Sequence, residues 1–181
     1  REFLAGQRRD VSEDTYRAIV RGKTGALFGF CLAAPAVLAG EPTGRVQRLH
    51  EVGERLGELF QIQDDLLDLV GDKGRDRRGS DLAEGKPSYP VVDAMRRCAP
   101  DQARRLAEIV FAERDQTTDD NIAEGLQILE SSGAIDATCA ALRELRQSIS
   151  VLAGSLQSPA LGHVVEGLSE LFLAPVADRV G

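Results

Sequence analysis

Apolar residues recur at spacings of three and four along most of this chain, and no segment alternates convincingly with a period of two. That pattern buries one face of a helix and does not suit a half-buried strand. It is clearest over residues 45–70, where Leu49, Val52, Leu56, Leu59, Ile62, Leu66 and Leu69 form a single stripe. Residues 11–40 predict one long helix, or two with a kink near Pro35, because a proline inside a helix removes a backbone hydrogen bond and crowds the preceding turn. Within it, the uncharged run from Thr24 to Gly40 is too short for a membrane span and reads as a buried core helix. A polar, Gly-rich stretch over residues 71–88 predicts a loop. Helical pattern resumes at Tyr89–Cys98 and again from Pro100 to about Glu113. A further helix stops at Gly133, the next runs over residues 134–156, and a last one opens at Ser158-Pro159 and ends before Pro175. Asn121 and Glu124 have capping-box spacing, so the acidic pair Asp119-Asp120 reads as a helix start.

Composition agrees with that pattern. The 181 residues are 43% apolar and 28% charged, which suits one globular domain or a piece of a larger one. Aromatics are 4% with no Trp, and Leu, Ala, Arg and Glu dominate, so the expected class is all-α packed helices. A net charge of -7 argues against a nucleic-acid partner, which needs clustered cations. Cys31, Cys98 and Cys139 are scattered and form no CxxC, as expected of a reducing, cytoplasmic compartment. His50 and His163 stand alone and read as structural. No secretory signal or transmembrane segment is visible. The first residue is Arg1 rather than Met, and the expectation is that the encoded amino terminus lies further upstream.

Candidate chemistry concentrates in "GELFQIQDDLLDLVGD", residues 57–72. On a helix, Gln61, Asp64, Asp65 and Asp68 share one face, with Ile62, Leu66 and Leu69 opposite. Three carboxylates that close repel one another, and something cationic has to offset them. A hard divalent cation such as Mg²⁺ is one solution, since it takes carboxylate oxygen and keeps places for water and phosphate. A solvated acidic helix face is the other, and the spacing alone leaves both open. The chain has only three lysines, Lys23, Lys73 and Lys86, against many arginines. All three lie near the aspartates in sequence or at the head of the uncharged helix, and a compact ammonium suits a phosphate oxygen beside a metal. Arg75, Arg77 and Arg78 add a basic loop, so the whole would receive a polyanion such as a diphosphate.

These residues resemble those of the trans-type polyprenyl diphosphate synthases, the family of farnesyl and geranylgeranyl diphosphate synthases. "FQIQDDLLD" resembles the second aspartate-rich motif, FQxxDDxxD. "GSDLAEGKPS" resembles the segment that follows it, and "KTG" at Lys23–Gly25 the Lys-Thr segment facing the allylic diphosphate. "AGQ" at Ala5–Gln7 resembles a Gly-Gln element upstream. The resemblance implies a helical isoprenoid-synthase-type bundle around a central cavity, of which residues 1–181 are the carboxy-terminal part of a single domain with the amino-terminal helices missing. It implies Mg²⁺-dependent head-to-tail condensation of an allylic prenyl diphosphate with isopentenyl diphosphate, with several ions bridged by the substrate diphosphate. Asp64, Asp65 and Asp68 would hold or orient the metal, with Asp64 the most direct ligand. Lys23 and Lys86 would contact the diphosphate, with Thr24 and Gln61 nearby. Phe60 would line the homoallylic pocket, or simply pack in the core. The usual Gly-Lys pair is replaced by "KGRDRRGSD", where either Arg75 or Arg77 takes the lysine's place. The first aspartate-rich motif has no match in residues 1–181, so this chain alone is expected to be inactive. A homodimer is expected by resemblance. The alternatives are a non-catalytic partner subunit of a prenyl synthase, or a terpene cyclase of the same fold.

Overall fold

The structure, a computed structural model, describes residues 12–70, 78–113 and 116–181. Among the described residues all regular secondary structure is helical. Helix α1 is Glu13–Val20, followed by a π-helical turn at Arg21–Gly25 and by α2 at Ala26–Leu38. Helix α3 is Thr43–Val70, α4 the short Ser80–Ala83, α5 Tyr89–Arg97, α6 Pro100–Val110 and α7 Asp119–Ser131. Helix α8 is Ala134–Gly154 and α9 Pro159–Leu173. A 3-10 turn at Ala174–Val176 and α10 at Ala177–Val180 end the chain. Among the described residues, 12–16 form one compact unit with those of 64–139, and Arg17–Gln63 form a second with Ala140–Gly181.

The stripe of α3 is the central packing surface, as the spacing predicts. Leu49 and Leu69 are 4% and 1% exposed, and Val52, Leu56, Leu59, Ile62 and Leu66 are wholly enclosed. Each such burial is worth roughly 1.5–3 kcal/mol, which outweighs the modest helix propensities of Val and Ile. In the first unit, Leu69 and Leu82 join Val91, Ala94, Leu106, Val110, Ile128 and Leu129 in one core. Arg105 of α6 pins α7 through Glu124 at 2.6 Å and Asn121 at 3.2 Å.

Three local expectations are corrected. The irregularity in residues 13–38 falls at the π turn, and Pro35 sits inside α2 without ending it. Helix α2 is not a buried core helix: Gly29, Ala33 and Ala36 are enclosed, whereas Leu27, Phe30, Val37 and Leu38 are 60% exposed or more. Its small residues let one face approach a neighbour closely, and the bulky ones lie opposite. Helix α7 begins at Asp119, as the acidic pair predicts, but its cap is Thr118, whose hydroxyl accepts the Asn121 N–H at 3.2 Å, and not Asn121. One helical stretch among the described residues, Pro159–Val180, has the length and composition to cross a membrane. It is not one helix, since α9 gives way at Ala174–Val176 around Pro175, and Val165, Ser169 and Leu173 are buried.

Candidate functional site

In the first unit the aspartates of α3 do not form an open acidic patch. Asp65 and Asp68 are 4% and 3% exposed, while Asp64 is only partly buried. The repulsion that a cation was expected to offset is met, at these two positions, by hydrogen-bond donors. Tyr16 of α1 donates its hydroxyl to Asp65 Oδ2 at 2.6 Å, and the Tyr89 N–H donates to the same oxygen at 2.8 Å. The two tyrosine rings meet edge to face at 5.5 Å, and the Tyr89 hydroxyl reaches Glu13 at 3.1 Å. Asp68 accepts the Ser80 hydroxyl on Oδ1 and the Asp81 N–H on Oδ2 at 3.0 Å. Such charge-assisted bonds are worth roughly twice a neutral one, enough to keep a carboxylate buried.

The "GSDLAEGK" segment is built around that contact. Gly79 has φ +76, a conformation that strains any other residue, and its N–H caps the Asp68 carbonyl at 3.1 Å. The turn brings Ser80 and Asp81 onto Asp68. Asp81 in turn holds Lys86, whose ammonium is 3.2 Å from its Oδ1 and 2.5 Å from Glu84 Oε2. The Lys86 pKa is raised, chiefly by the Glu84 hydrogen bond, which outweighs the lowering by burial, with Asp81 raising it further. Lys86 stays cationic and half exposed, one relay away from Asp68. Arg78 is committed elsewhere: Nε donates to the Leu69 carbonyl at 2.6 Å and Nη2 to Glu130 at 3.1 Å, which caps the end of α3. Lys73, Arg75, Arg77 and Ala5–Gln7 lie outside the described residues.

In the second unit the π turn carries Lys23 and Thr24. Lys23 is exposed, and Thr24 donates its hydroxyl to Gln61 Oε1 of α3 at 3.2 Å. Phe60 is 38% exposed and packs between Phe28 at 6.0 Å and Phe172 at 5.2 Å, which makes it part of an aromatic cluster with one open edge. A polar cleft of about 340 Å³ lies against Arg21, Gln47, His50, Glu51, Glu54 and Arg55, and none of these is a candidate site residue of the sequence. His50 is not alone, since Nδ1 lies 3.7 Å from Glu54.

Sequence reasoning passed over Tyr16, Tyr89, Glu58 and a glycine crossing. Gly53 and Gly57 of α3 lie against Gly29 and Gly25. A Cβ on Gly53 would stand 2.5 Å from the Gly29 Cα, and one on Gly57 would stand 2.7 Å from the Gly25 Cα. Two glycines four apart on each of two predicted helices were the available signal.

Residues 2–129 match the polyprenyl synthetase family. The chain is 33% identical over 145 residues to the short chain isoprenyl diphosphate synthase of Methanothermobacter thermautotrophicus, covering 78% of this chain and 43% of that protein. It is 33% identical over 162 residues to the geranylgeranyl diphosphate synthase of Mycobacterium tuberculosis, covering 88% and 45%. It superposes with a TM-score of 0.78 and 27% identity on a polyprenyl synthase from Caulobacter crescentus CB15 that was crystallised with calcium and isoprenyl diphosphate, covering 96% of this chain and 54% of that one. The molecule thus has the all-α isoprenoid synthase fold. The chain belongs to the polyprenyl synthetase family. It spans less than half the length of the two curated relatives it matches here.

Proposed function

We propose that this chain supplies one half of a prenyltransferase site, the half that receives the diphosphate of an allylic prenyl substrate for condensation with isopentenyl diphosphate. One observation carries the reading: of the three acids in "DDLLD", Asp64 alone is partly exposed, while Asp65 and Asp68 are anchored by Tyr16, Tyr89, Ser80 and Asp81. A buried, hydrogen-bonded pair holds α3 in place so that Asp64 presents its carboxylate at a fixed point.

The donor set fits Mg²⁺ in a particular way. No group of three acidic, His or Cys side chains among the described residues converges as a closed cage. Mg²⁺ does not need one, because it keeps waters and shares substrate phosphate oxygens. Asp64 would hold the ion directly, and Asp65 and Asp68 would act by orienting the helix. When bound, the metal supplies positive charge where the diphosphate accumulates negative charge as the carbon–oxygen bond breaks.

Lys23 and Lys86 would donate to the diphosphate oxygens, and Thr24, held by Gln61, would add a hydroxyl. Donors that meet more charge in the transition state than in the substrate raise the rate of the chemical step. Phe60, with Phe28 and Phe172, would supply an apolar wall. Such walls keep water from the allylic cation, which would otherwise end as an alcohol. Arg75 or Arg77 would add a further cation. By resemblance the whole protein works as a cytoplasmic homodimer.

The test is incubation with Mg²⁺, geranyl diphosphate and labelled isopentenyl diphosphate. The 181-residue chain is expected to bind the allylic diphosphate weakly and to form no longer prenyl chain by itself. Elongation by this chain alone would overturn the half-site, and absence of any diphosphate binding would overturn the assignment of its ligand.

A further inference from the structure

Glu58 is the most deeply buried charge of the second unit, and the function above does not use it. It lies mid-way along α3 with 0% exposure. Arg17, in the last turn of α1, donates to its Oε1, and Arg21 donates from Nε to its Oε2 at 2.9 Å. Arg55, one turn away on α3 itself, is 3.8 Å from Oε2. A buried carboxylate is tolerated only when paired in this way. The pairing has a location: Arg21 opens the π turn, and Lys23 and Thr24 follow within it.

The other end of the turn rests on the same helix. Thr24 is bonded to Gln61, and Gly25 packs against Gly57 and the Glu54 carbonyl. Glu54, Gly57, Glu58 and Gln61 are spaced zero, three, four and seven, which is one stripe of α3. The Ala26 N–H bonds back to the Arg21 carbonyl, five residues earlier. A π turn holds one residue more than an α-helical turn and occurs mainly where surroundings enforce it. Relaxing it to α-helix would rotate the side chains on one side of it by about 100° relative to the other.

We infer that Glu58 is a positioning residue: by anchoring Arg17 and Arg21 it keeps residues 21–25 in the π turn and so sets the direction of Lys23 and Thr24. This rests on reading those two residues as diphosphate ligands. Glu58→Gln keeps the side chain's shape and removes its charge. Amide hydrogen exchange at residues 22–26 is expected to quicken by about tenfold or more in this variant, the size of a lost charged hydrogen bond. Binding of inorganic pyrophosphate with Mg²⁺, followed by calorimetry, is expected to weaken by a similar factor. Added to the pair Lys23→Ala with Thr24→Ala, Glu58→Gln is expected to weaken binding no further, because Glu58 acts through those two residues.

Unchanged exchange at residues 22–26, or a loss that multiplies when Glu58→Gln is added to the Lys23→Ala, Thr24→Ala pair, would overturn the inference. Should wild-type chain fail to bind pyrophosphate, the diphosphate reading falls while the exchange measurement still decides the turn. Should Glu58→Gln fail to fold, Arg21→Gln leaves the Arg17 contact in place and takes the same measurements, with the same outcomes deciding.

Discussion

Gly53→Ala sets two ordinary rules against each other. Alanine is the better helix former, and the exchange in a helix interior is worth about 0.5–1 kcal/mol in its favour. Gly53 lies in the middle of α3, so propensity alone predicts a more stable protein. The structure predicts the reverse. A Cβ there would stand 2.5 Å from the Gly29 Cα, 2.5 Å from the Phe28 carbonyl oxygen and 2.6 Å from the Gly29 nitrogen. All three are backbone atoms, so no rotamer change relieves the clash. Carbon atoms pack best at about 3.5–4.0 Å, which requires the segments to part by about 1 Å. Overpacking of that kind costs about 3 kcal/mol at the upper end of its usual range. Subtracting the propensity gain leaves about 2 kcal/mol of net destabilisation. For a chain of this size that lowers Tm by about 4–8 °C. Gly167 in α9 is the control, since a Cβ there meets nothing within 4 Å. Gly167→Ala should raise Tm by about 1–4 °C. Thermal unfolding followed by circular dichroism at 222 nm reads both. A Gly53→Ala protein as stable as the Gly167→Ala protein would refute the close crossing.

Tyr16→Phe removes the hydroxyl that donates to Asp65 without changing the ring's shape, and is expected to lower the unfolding free energy by about 1.5–3 kcal/mol, measured by urea titration. Glu124 has a pKa lowered from its ordinary value, chiefly by its hydrogen bond from Arg105, which outweighs the raising by burial, with the Arg105 charge lowering it further. A depressed carboxylate pKa contributes stability above its unfolded value and loses it as pH falls through the folded one. Glu124→Gln should therefore flatten the acid limb of the stability–pH curve and leave its alkaline limb unchanged. An acid limb identical to wild type would remove the α6–α7 ion pair as a stabilising contact.

The helical architecture was legible because the α3 stripe is periodic and wholly enclosed, and periodicity is a local property of sequence. The π turn was not. Residues 21–25 carry no signature of it, because the turn is imposed by Glu58, Gln61 and two glycines some thirty residues away. Nor was the burial of Asp65 and Asp68 legible. Their charges are plain in "DDLLD", but the groups that neutralise them come from Tyr16, Ser80, Asp81 and Tyr89, which only the fold brings together. The capping error at α7 has a similar cause. Thr118 and Asn121 both qualify as caps by residue type, and the extended backbone of Thr118, at φ -84 and ψ 165, decides between them. Motif order was more informative than any single residue. "KTG", "FQIQDDLLD" and "GSDLAEGK" together, in that order, carried the family resemblance, and of the three acids in "DDLLD" only Asp64 is partly exposed.

The central claim is that Asp64 holds a divalent ion on which a diphosphate rests. Calorimetric titration of the 181-residue chain with inorganic pyrophosphate, in Mg²⁺ and again in excess chelator, tests it most directly when repeated on Asp64→Ala. Binding that needs Mg²⁺ in the wild type and falls by at least about tenfold in the variant, with Tm unchanged, is the predicted result. Equal affinity in the two proteins, or equal affinity with and without the metal, would contradict it.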